Sequence, residues 1–316
     1  MHSGRRILRP PITPTNLRIT WRRTTTACGG FRRNSSRLIC MLLISLTGGI
    51  GVGKSTAASL LKQRGAQVLV LDEVARTILD PGTSATWEVS QIWPSVVRDG
   101  LVDRAALAKI VFGDPKALAQ LNAITHPRTW QAAERILEGW DASGDAEVAV
   151  IEIAILANSP RKFSSHLNVV IGADMDVRLE RLEGRGLTRD EALARMNNQR
   201  PQAELADLAD AWLDNSGVIG DLATQISQLW EERLAPYAAN LAAHKRIHGL
   251  DRHPEPAEVQ RCVARLKYYG IQAKNEGSGN LTASQPTDGR ALSAAGFVPG
   301  EGCFELADPA YQLTLS

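Results

Sequence analysis

The chain has 316 residues, of which 44% are hydrophobic and 22% are charged, as in an ordinary globular protein. It contains no run of 18 apolar residues, so we expect no transmembrane helix. Its four cysteines are scattered without a C-x-x-C pair, which argues against a disulfide framework and a zinc site and fits a reducing, cytoplasmic setting.

The net charge of +2 hides an asymmetry. Residues 1–40 contain nine arginines, no lysine and no acid, and the remaining chain has 27 basic and 34 acidic residues. We predict that residues 1–40 form a disordered extension. Three interpretations compete: a transit peptide, a basic arm for nucleic acid, and an upstream extension with the functional start at Met41. We favour the last, because Met41 directly precedes the first predicted strand.

A glycine-rich sequence follows that strand, which we place at residues 42–46. Residues 48–55 read Gly-Gly-Ile-Gly-Val-Gly-Lys-Ser and match the pattern G-x-x-x-x-G-K-[ST]. Glycines let backbone amides point at a ligand, Lys54 can reach the outer phosphates, and Ser55 offers a hydroxyl to Mg²⁺. We predict a binding loop for Mg-ATP rather than a merely flexible turn. Its contacts would be Gly48, Gly49, Gly51, Val52, Gly53, Lys54, Ser55 and Thr56.

Strand and helix patterns alternate from residue 41 onward. Four further apolar runs predict buried strands: residues 67–71, 148–153, 167–171 and 211–213. The alternation predicts an α/β fold with a five-stranded parallel sheet between two layers of helices. The sequence between the second and third predicted strands has a wholly helical pattern, so we expect an inserted sub-domain at about residues 80–145. Within it Asp114 should cap a helix, and Pro127 should end or restart one.

Asp72 directly follows the second predicted strand. In an open parallel sheet the carboxyl ends of the strands line the ligand crevice, which would place this carboxylate near the terminal phosphate. There it could serve as general base for an acceptor hydroxyl or hold Mg²⁺ through water. The alternative is that Asp72 caps a helix of residues 73–79, and spacing alone does not separate the two.

Two arginines lie in a charged helical stretch after the fourth predicted strand. Arg181 and Arg185 are four residues apart, which would place both on one helix face, where they could clamp phosphoryl oxygens. A capping box at Thr188 starts a second helix, so we predict a closing lid at about residues 174–200. The alternative is a solvated face on which the arginines pair with Glu180 and Glu183.

The composition and the hydrophobic pattern of the sequence change towards the end of the chain. Asp221 is expected to cap the amphipathic helix that closes the core. One more helix is predicted at residues 257–269, and the sequence then becomes polar and rich in glycine and serine. Residues 249–316 are therefore either a shortened accessory domain or a partly disordered tail, with no chemical role assigned.

Six ordered blocks between about Met41 and Arg246 together resemble the dephospho-coenzyme A (dephospho-CoA) kinases. The blocks are the glycine-rich loop, Asp72 with Arg76, Asp99 with Arg104, the Ala-Ile-Thr-His-Pro run containing His126, the two arginines with Gln199, and residues 209–217. The resemblance implies a P-loop kinase domain at residues 41–248 with a helical substrate-binding insertion. It implies transfer of the γ-phosphoryl group of ATP to the 3′-hydroxyl of dephospho-CoA, the last step of coenzyme A synthesis.

The resemblance also implies roles for individual residues. Lys54, Asp72, Arg181 and Arg185 would be catalytic, and Ser55 would bind Mg²⁺ through ATP. The acceptor side would be lined or shaped by Asp72, Arg76, Asp99, Arg104 and His126. The expected cofactors are ATP and Mg²⁺, and the expected partner is the small molecule dephospho-CoA, with no nucleic acid or membrane.

Four positions depart from the family pattern. Val70 stands where relatives usually carry an acid, which leaves Asp72 alone after the second strand. Glu152 replaces an aspartate after the third strand, Ala154 replaces a proline, and Asn158 replaces a glutamate. These changes put the choice of acceptor in doubt more than nucleotide binding.

Other functional classes are less well supported. A GTP-driven switch needs an Asn-Lys-x-Asp motif that this chain lacks, and its six histidines form no metal-ligand pattern. A nucleic-acid-binding protein would have to act through residues 1–40. Among kinases, the alternative is a nucleoside-monophosphate or shikimate-type enzyme.

Overall fold

The computed structural model describes residues 40–285 and 287–316, so the predictions for residues 1–39 lie outside it. The first 200 or so of these residues alternate strands and helices, with a 3₁₀ turn at Pro94–Val96 and a π-helical turn at Trp230–Leu234. In chain order the elements are β1 (Leu42–Gly48), α1 (Lys54–Gln63), β2 (Gln67–Val70), α2 (Leu71–Thr77), α3 (Ser84–Ile92), β3 (Val97–Arg98), β4 (Leu101–Val102), α4 (Arg104–Gly113), α5 (Pro115–Ser143), β5 (Val148–Glu152), β6 (Leu167–Gly172), α6 (Met175–Glu183), α7 (Arg189–Asn197), α8 (Gln202–Ala206), β7 (Ala211–Asp214), α9 (Ile219–Leu229) and α10 (Ala235–Ala242).

The central sheet has five parallel strands in the order β2-β5-β1-β6-β7. Each strand coincides with a predicted one, and the predicted α/β fold is confirmed. Strand β1 lies in the middle, and its side chains are almost all buried because helices cover both faces of the sheet. All five strands end at the same edge, and the glycine-rich loop leaves β1 there.

The insertion between β2 and β5 contains one feature that the sequence prediction missed. Strands β3 and β4 form a small antiparallel hairpin, so the expectation of a wholly helical insertion is wrong. The turn consists of Asp99 and Gly100, with φ of 51° and 76°. Asp-Gly favours such a two-residue turn because both positions need positive φ.

Helix α5 crosses the predicted break at Pro127 without ending. It runs for 29 residues, and Asp114 caps its start as predicted, accepting a hydrogen bond from the Lys116 amide at 2.8 Å. Proline removes one amide donor from the helix. Two side chains near Pro127 add hydrogen bonds to carbonyls in this part of the helix: Thr125 Oγ1 donates to Leu121 O at 2.9 Å, and Arg128 Nη1 to Ile124 O at 2.7 Å. The prediction that Pro127 ends or restarts a helix is therefore wrong.

Of the two helix caps predicted near the end of the core, one is present and the other is not. The capping box at Thr188 is present as predicted, with Glu191 at the third helical position. Asp221, in contrast, does not occupy the cap position of α9, which begins at Ile219. Its carboxylate lies in the first turn and accepts a hydrogen bond from the Val218 amide at 3.1 Å. The acid still satisfies a free amide at the helix start, from three positions further along.

The end of the chain folds as a layer with its own sheet. It comprises α11 (Pro256–Tyr268), β8 (Ala273–Gly277), β9 (Asn280–Ala283), α12 (Gly289–Ala294), β10 (Phe297–Pro299), β11 (Phe304–Leu306) and β12 (Thr314–Leu315). The strands pair in the order β10-β11-β12-β9-β8, and apolar side chains from both helices pack on them. We call residues 256–315 the C-terminal layer. None of the described helices has the length and apolar character needed to cross a bilayer.

Buried ion pairs join the C-terminal layer to the core formed by residues 41–242. The Asp210 side chain, only 1% exposed, pairs with Arg265 Nη2 and, at 3.0 Å, with Arg261 Nε. A second pair joins Arg233 Nη2 to Asp308 Oδ2 at 2.6 Å, and Arg233 Nη1 also donates to the Asp210 carbonyl. Burial alone would lower the pKa of Arg265, but the Asp210 carboxylate raises that pKa above its usual value. Arg265 therefore stays charged inside the protein.

The substitution Asp210→Asn should lower the free energy of unfolding by about 3–5 kcal/mol, because it leaves buried guanidinium groups without their carboxylate. Denaturant unfolding of the full chain measures this. Asp207→Asn is the matched control, since Asp207 is exposed and lies three residues earlier; its effect should stay within about 0.5 kcal/mol. Equal unfolding midpoints for the two variants would contradict a stabilising role of the ion pairs.

Candidate active site

The glycine-rich loop joins the end of β1 to the start of α1. Gly51 and Gly53 have φ of 82° and 91°, a conformation that other residues rarely adopt. A Cβ atom on Gly53 would lie 2.3 Å from Asn215 Nδ2, so this position also lacks room for a side chain. Gly53 occupies the cap position of α1, and Ser55 is exposed in its first turn. The loop therefore brings backbone amides, a helix N-terminus and a hydroxyl to one place.

Three side chains from outside the loop bind its backbone. Asn215, directly after β7, donates from Nδ2 to the Val52 carbonyl at 2.8 Å. Gln199, just past α7, accepts from the Ile50 amide at 2.7 Å, and Arg178 Nε in α6 donates to the Ile50 carbonyl at 2.9 Å. None of the three was among the predicted site residues. The sequence did hold a signal for Arg178, which lies one helical turn before Arg181.

Lys54 is folded back on the loop. Its Nζ donates to the carbonyls of Gly48 and Gly49 at 3.0 and 3.1 Å. Burial lowers the pKa of Lys54, the carboxylates of Glu152 and Asp72 raise it, and two arginines lower it further, so the pKa lies below its usual value. The arginines are Arg178 and Arg185. The site thus gathers positive and negative groups around one ammonium.

The carboxylates of Asp72 in α2 and Glu152 in β5 both raise the pKa of Lys54. Asp72 is exposed in the first turn of α2, whose cap position is Val70, so the alternative that Asp72 caps a helix does not match the structure. Glu152 ends β5 and is half-buried. Burial raises the pKa of Glu152, Lys54 lowers it, and Asp72 and Glu73 raise it, with a net upward shift. Glu152 was noted in the sequence only as a departure from the family pattern.

The two predicted lid arginines differ in position. Arg181 lies within α6, and its Nη1 is buried without a hydrogen-bond partner among the described residues. Helix α6 ends at Glu183, so Arg185 lies beyond it, and the expected shared helix face is not formed. Arg185 is nevertheless close enough to lower the pKa of Lys54. Glu183, expected as a partner of these arginines, instead pairs with Arg189 at 3.5 Å.

The residues expected on the acceptor side form two groups. Arg104 Nη2 donates to the Arg76 carbonyl at 2.6 Å and lies 3.4 Å from Asp80, which links α4 to α2. Asp99 lies at the tip of the β3-β4 hairpin, and His126 is exposed on α5. The structure thus brings Arg104 into contact with the backbone of Arg76.

A cleft opens beside Gly48 and Gly49. The loop after β5, residues 154–158, forms one wall, and the segment after α7, residues 198–200, forms the other. Across it Asn158 Oδ1 accepts from Arg200 Nε at 2.6 Å, and Arg200 Nη1 also pairs with Glu204 at 2.9 Å. The amide at 158 therefore still binds a basic group, although it carries no charge.

A parallel sheet whose central strand leads into a G-x-x-x-x-G-K-[ST] loop, held by Arg178 of α6 and by Gln199 after α7, is the arrangement of a P-loop nucleotide-binding protein. Comparisons with known proteins narrow the class. The family model for dephospho-CoA kinase matches residues 42–221. The chain is 38% identical over 205 residues to the dephospho-CoA kinase of Frankia casuarinae, covering 64% of this chain and 88% of that protein.

Two further comparisons agree. The dephospho-CoA kinase of Mycolicibacterium paratuberculosis is 38% identical over 236 residues, which are 72% of this chain but 57% of that longer protein. The crystal structure of TT1252 from Thermus thermophilus superposes with a TM-score of 0.53 at 33% identity, covering 61% of this chain and 97% of that one. The chain belongs to the dephospho-CoA kinase family, whose reaction is the ATP-dependent phosphorylation of dephospho-CoA to coenzyme A. The resemblance inferred from the sequence blocks is confirmed.

Replacing Arg178 tests its contact with the loop. Arg178→Met should weaken ATP binding by about tenfold, because a hydrogen bond from a charged donor contributes roughly 1.5–3 kcal/mol. Titration calorimetry with ATP measures the change. Arg189→Met is the matched control, since Arg189 lies on α7 and its side chain is 60% exposed. Equal ATP affinities in the two variants would show that Arg178 does not support the loop.

Proposed function

We propose that this chain transfers the γ-phosphoryl group of ATP to the 3′-hydroxyl of dephospho-CoA at the edge of the sheet where β1, β2 and β5 end. The observation that carries the proposal is the convergence of Lys54, Asp72 and the arginines after β6 on one glycine-rich loop. Phosphoryl transfer needs little covalent chemistry from a protein, and catalysis comes mainly from positioning and charge. The site supplies both.

Nucleotide binding is assigned to the loop and the start of α1. The amides of residues 48–56 would hold the phosphates, and Lys54 would leave the Gly48 and Gly49 carbonyls for phosphate oxygens. The exposed Ser55 hydroxyl and Asp72 carboxylate are oxygen donors of the kind that Mg²⁺ prefers, so the residues present fit this ion. When bound, Mg²⁺ adds positive charge at the phosphate oxygens.

Asp72 is proposed as the general base. Its carboxylate would accept the proton of the 3′-hydroxyl as the new O–P bond forms and the bond between the γ-phosphorus and the bridging oxygen breaks, releasing ADP. Arg181 and Arg185 would neutralise charge on the transferred group. The buried Nη1 of Arg181 supports this role, because a buried donor without a partner is costly and an anion would satisfy it.

The remaining residues are assigned to the lid and the acceptor. Helices α6 and α7 would form the lid that excludes water, since Arg178 and Gln199 already connect them to the loop. The acceptor side would be lined or shaped by Asp72, Arg76, Asp99, Arg104 and His126.

One coupled assay tests the proposed acceptor. Purified full-length protein with ATP and Mg²⁺ is offered dephospho-CoA, adenylate and shikimate in turn, and ADP release is measured. We expect turnover with dephospho-CoA alone, and none with Lys54→Ala, because that variant lacks the cation facing the phosphates. Circular dichroism checks that Lys54→Ala remains folded. Turnover with adenylate or shikimate instead would overturn the proposed acceptor.

Asp72→Asn tests the proposed role of that residue as general base. The amide cannot accept the proton, so turnover should fall by about 10²- to 10⁴-fold while the thermal stability stays unchanged. Steady-state kinetics with dephospho-CoA measures this, and Glu73→Gln, the neighbouring exposed acid, is the control. Near-normal turnover of Asp72→Asn would exclude it as the base.

A further inference from the structure

The C-terminal layer lies outside the residues that define the family. The family model matches residues 42–221, and the layer begins at Pro256. The layer has its own five-stranded sheet and its own apolar cluster. Its helix α11 also sends two arginines, Arg261 and Arg265, to a carboxylate of the core. These contacts give the layer a physical route to the proposed active site.

Strand β7 forms that route. It has four residues and lies at the edge of the central sheet, where β6 is its neighbour. A short strand that is paired on one side has little stability of its own, so its position depends on the contacts at its ends. Asp210 directly precedes β7 and Asn215 directly follows it. Asn215 Nδ2 donates to the Val52 carbonyl of the glycine-rich loop at 2.8 Å.

The Asp210 end of β7 is held from two sides. The Asp210 amide donates to the Asn168 carbonyl of β6 at 2.9 Å, and its Oδ2 accepts from the Asn168 amide at 2.8 Å. From the layer, Arg261 Nε donates to Oδ1 at 3.0 Å and Arg265 Nη2 donates to Oδ2. The side chains of Arg261 and Arg265 are 11% and 2% exposed, so water and salt screen these pairs little. The carboxylate is thus fixed between the sheet and the layer.

We infer that Arg261 and Arg265 are positioning residues for nucleotide binding. They act on the glycine-rich loop through Asp210, β7 and Asn215. The inference rests on the proposed function, in which the triphosphate lies in this loop. The arginines limit the movement of β7 along β6, and this keeps Asn215 at hydrogen-bond distance from the loop. Without them the loop has to be ordered when the nucleotide binds, and that ordering weakens the binding.

Arg261→Met tests the inference, because methionine is an unbranched side chain without the charge or the hydrogen bond. Titration calorimetry on the full chain measures the dissociation constant of Mg-ATP, at a temperature where circular dichroism shows each variant to be folded. The constant should rise about fivefold, as expected for a change within a coupled network. Arg252→Met is the matched control, since Arg252 pairs with Glu258 of the same helix rather than with Asp210. It should leave the constant unchanged.

A second comparison asks whether the effect passes through Asn215. Asn215→Ala removes the donor to the Val52 carbonyl and should itself weaken the binding of Mg-ATP. When Arg261→Met is added to Asn215→Ala, the constant should change by less than about twofold, because the contact on which Arg261 acts is already lost. If Arg261→Met does not fold, Arg261→Gln, which retains an amide donor, replaces it in both comparisons.

Three results would overturn the inference: an unchanged affinity for Mg-ATP in Arg261→Met, an equal loss in Arg252→Met, or effects of Arg261→Met and Asn215→Ala that simply multiply. Failure of the proposed function has a different signature. It would appear in the unsubstituted protein, as an absence of ATP binding or of turnover with dephospho-CoA.

Discussion

The structure of the site depends on the hydrogen bonds that the carbonyl groups of the phosphate-binding loop accept from side chains. A loop that points its amides at a ligand turns carbonyls away from it, and buried carbonyls need donors. Arg178 supplies the Ile50 carbonyl and Asn215 the Val52 carbonyl, from two different elements of the core. Lys54 supplies those of Gly48 and Gly49. The loop can therefore keep its shape before any nucleotide arrives.

These donors are not equivalent. Arg178 and Asn215 are tied to the backbone of the loop and have no reason to leave when phosphate binds. Of these donors, Lys54 is the one that the proposed function also assigns to the triphosphate, so in that proposal its ammonium exchanges the Gly48 and Gly49 carbonyls for phosphate oxygens. The carboxylates of Glu152 and Asp72 favour the charged form of Lys54, and burial opposes it. The pKa of Lys54 therefore reflects two opposing effects, the loss of hydration and the attraction of the two carboxylates.

Features encoded locally were predictable from the sequence, and those that depend on distant partners were not. The loop, the five strands and the caps at Asp114 and Thr188 each follow from a few adjacent residues. The continuity of α5 through Pro127 was not predictable, because the proline removes one hydrogen bond while buried residues on both sides of it pack the helix against the rest of the protein. Arg178 was missed for a similar reason: its sequence neighbourhood reads as a charged surface, and its partner lies 128 residues away.

The C-terminal layer packs against the core and binds it at the start of β7. Its Val298 and Ala307 belong to the hydrophobic cluster that packs against β1, so the layer completes the core rather than resting on its surface. Its arginines pair with Asp210, which lies directly before β7, while Asn215, directly after β7, holds the loop. One short strand therefore connects the ion pairs at one end to the phosphate-binding loop at the other. The layer therefore helps to position the loop, because its arginines fix the strand after which Asn215 lies.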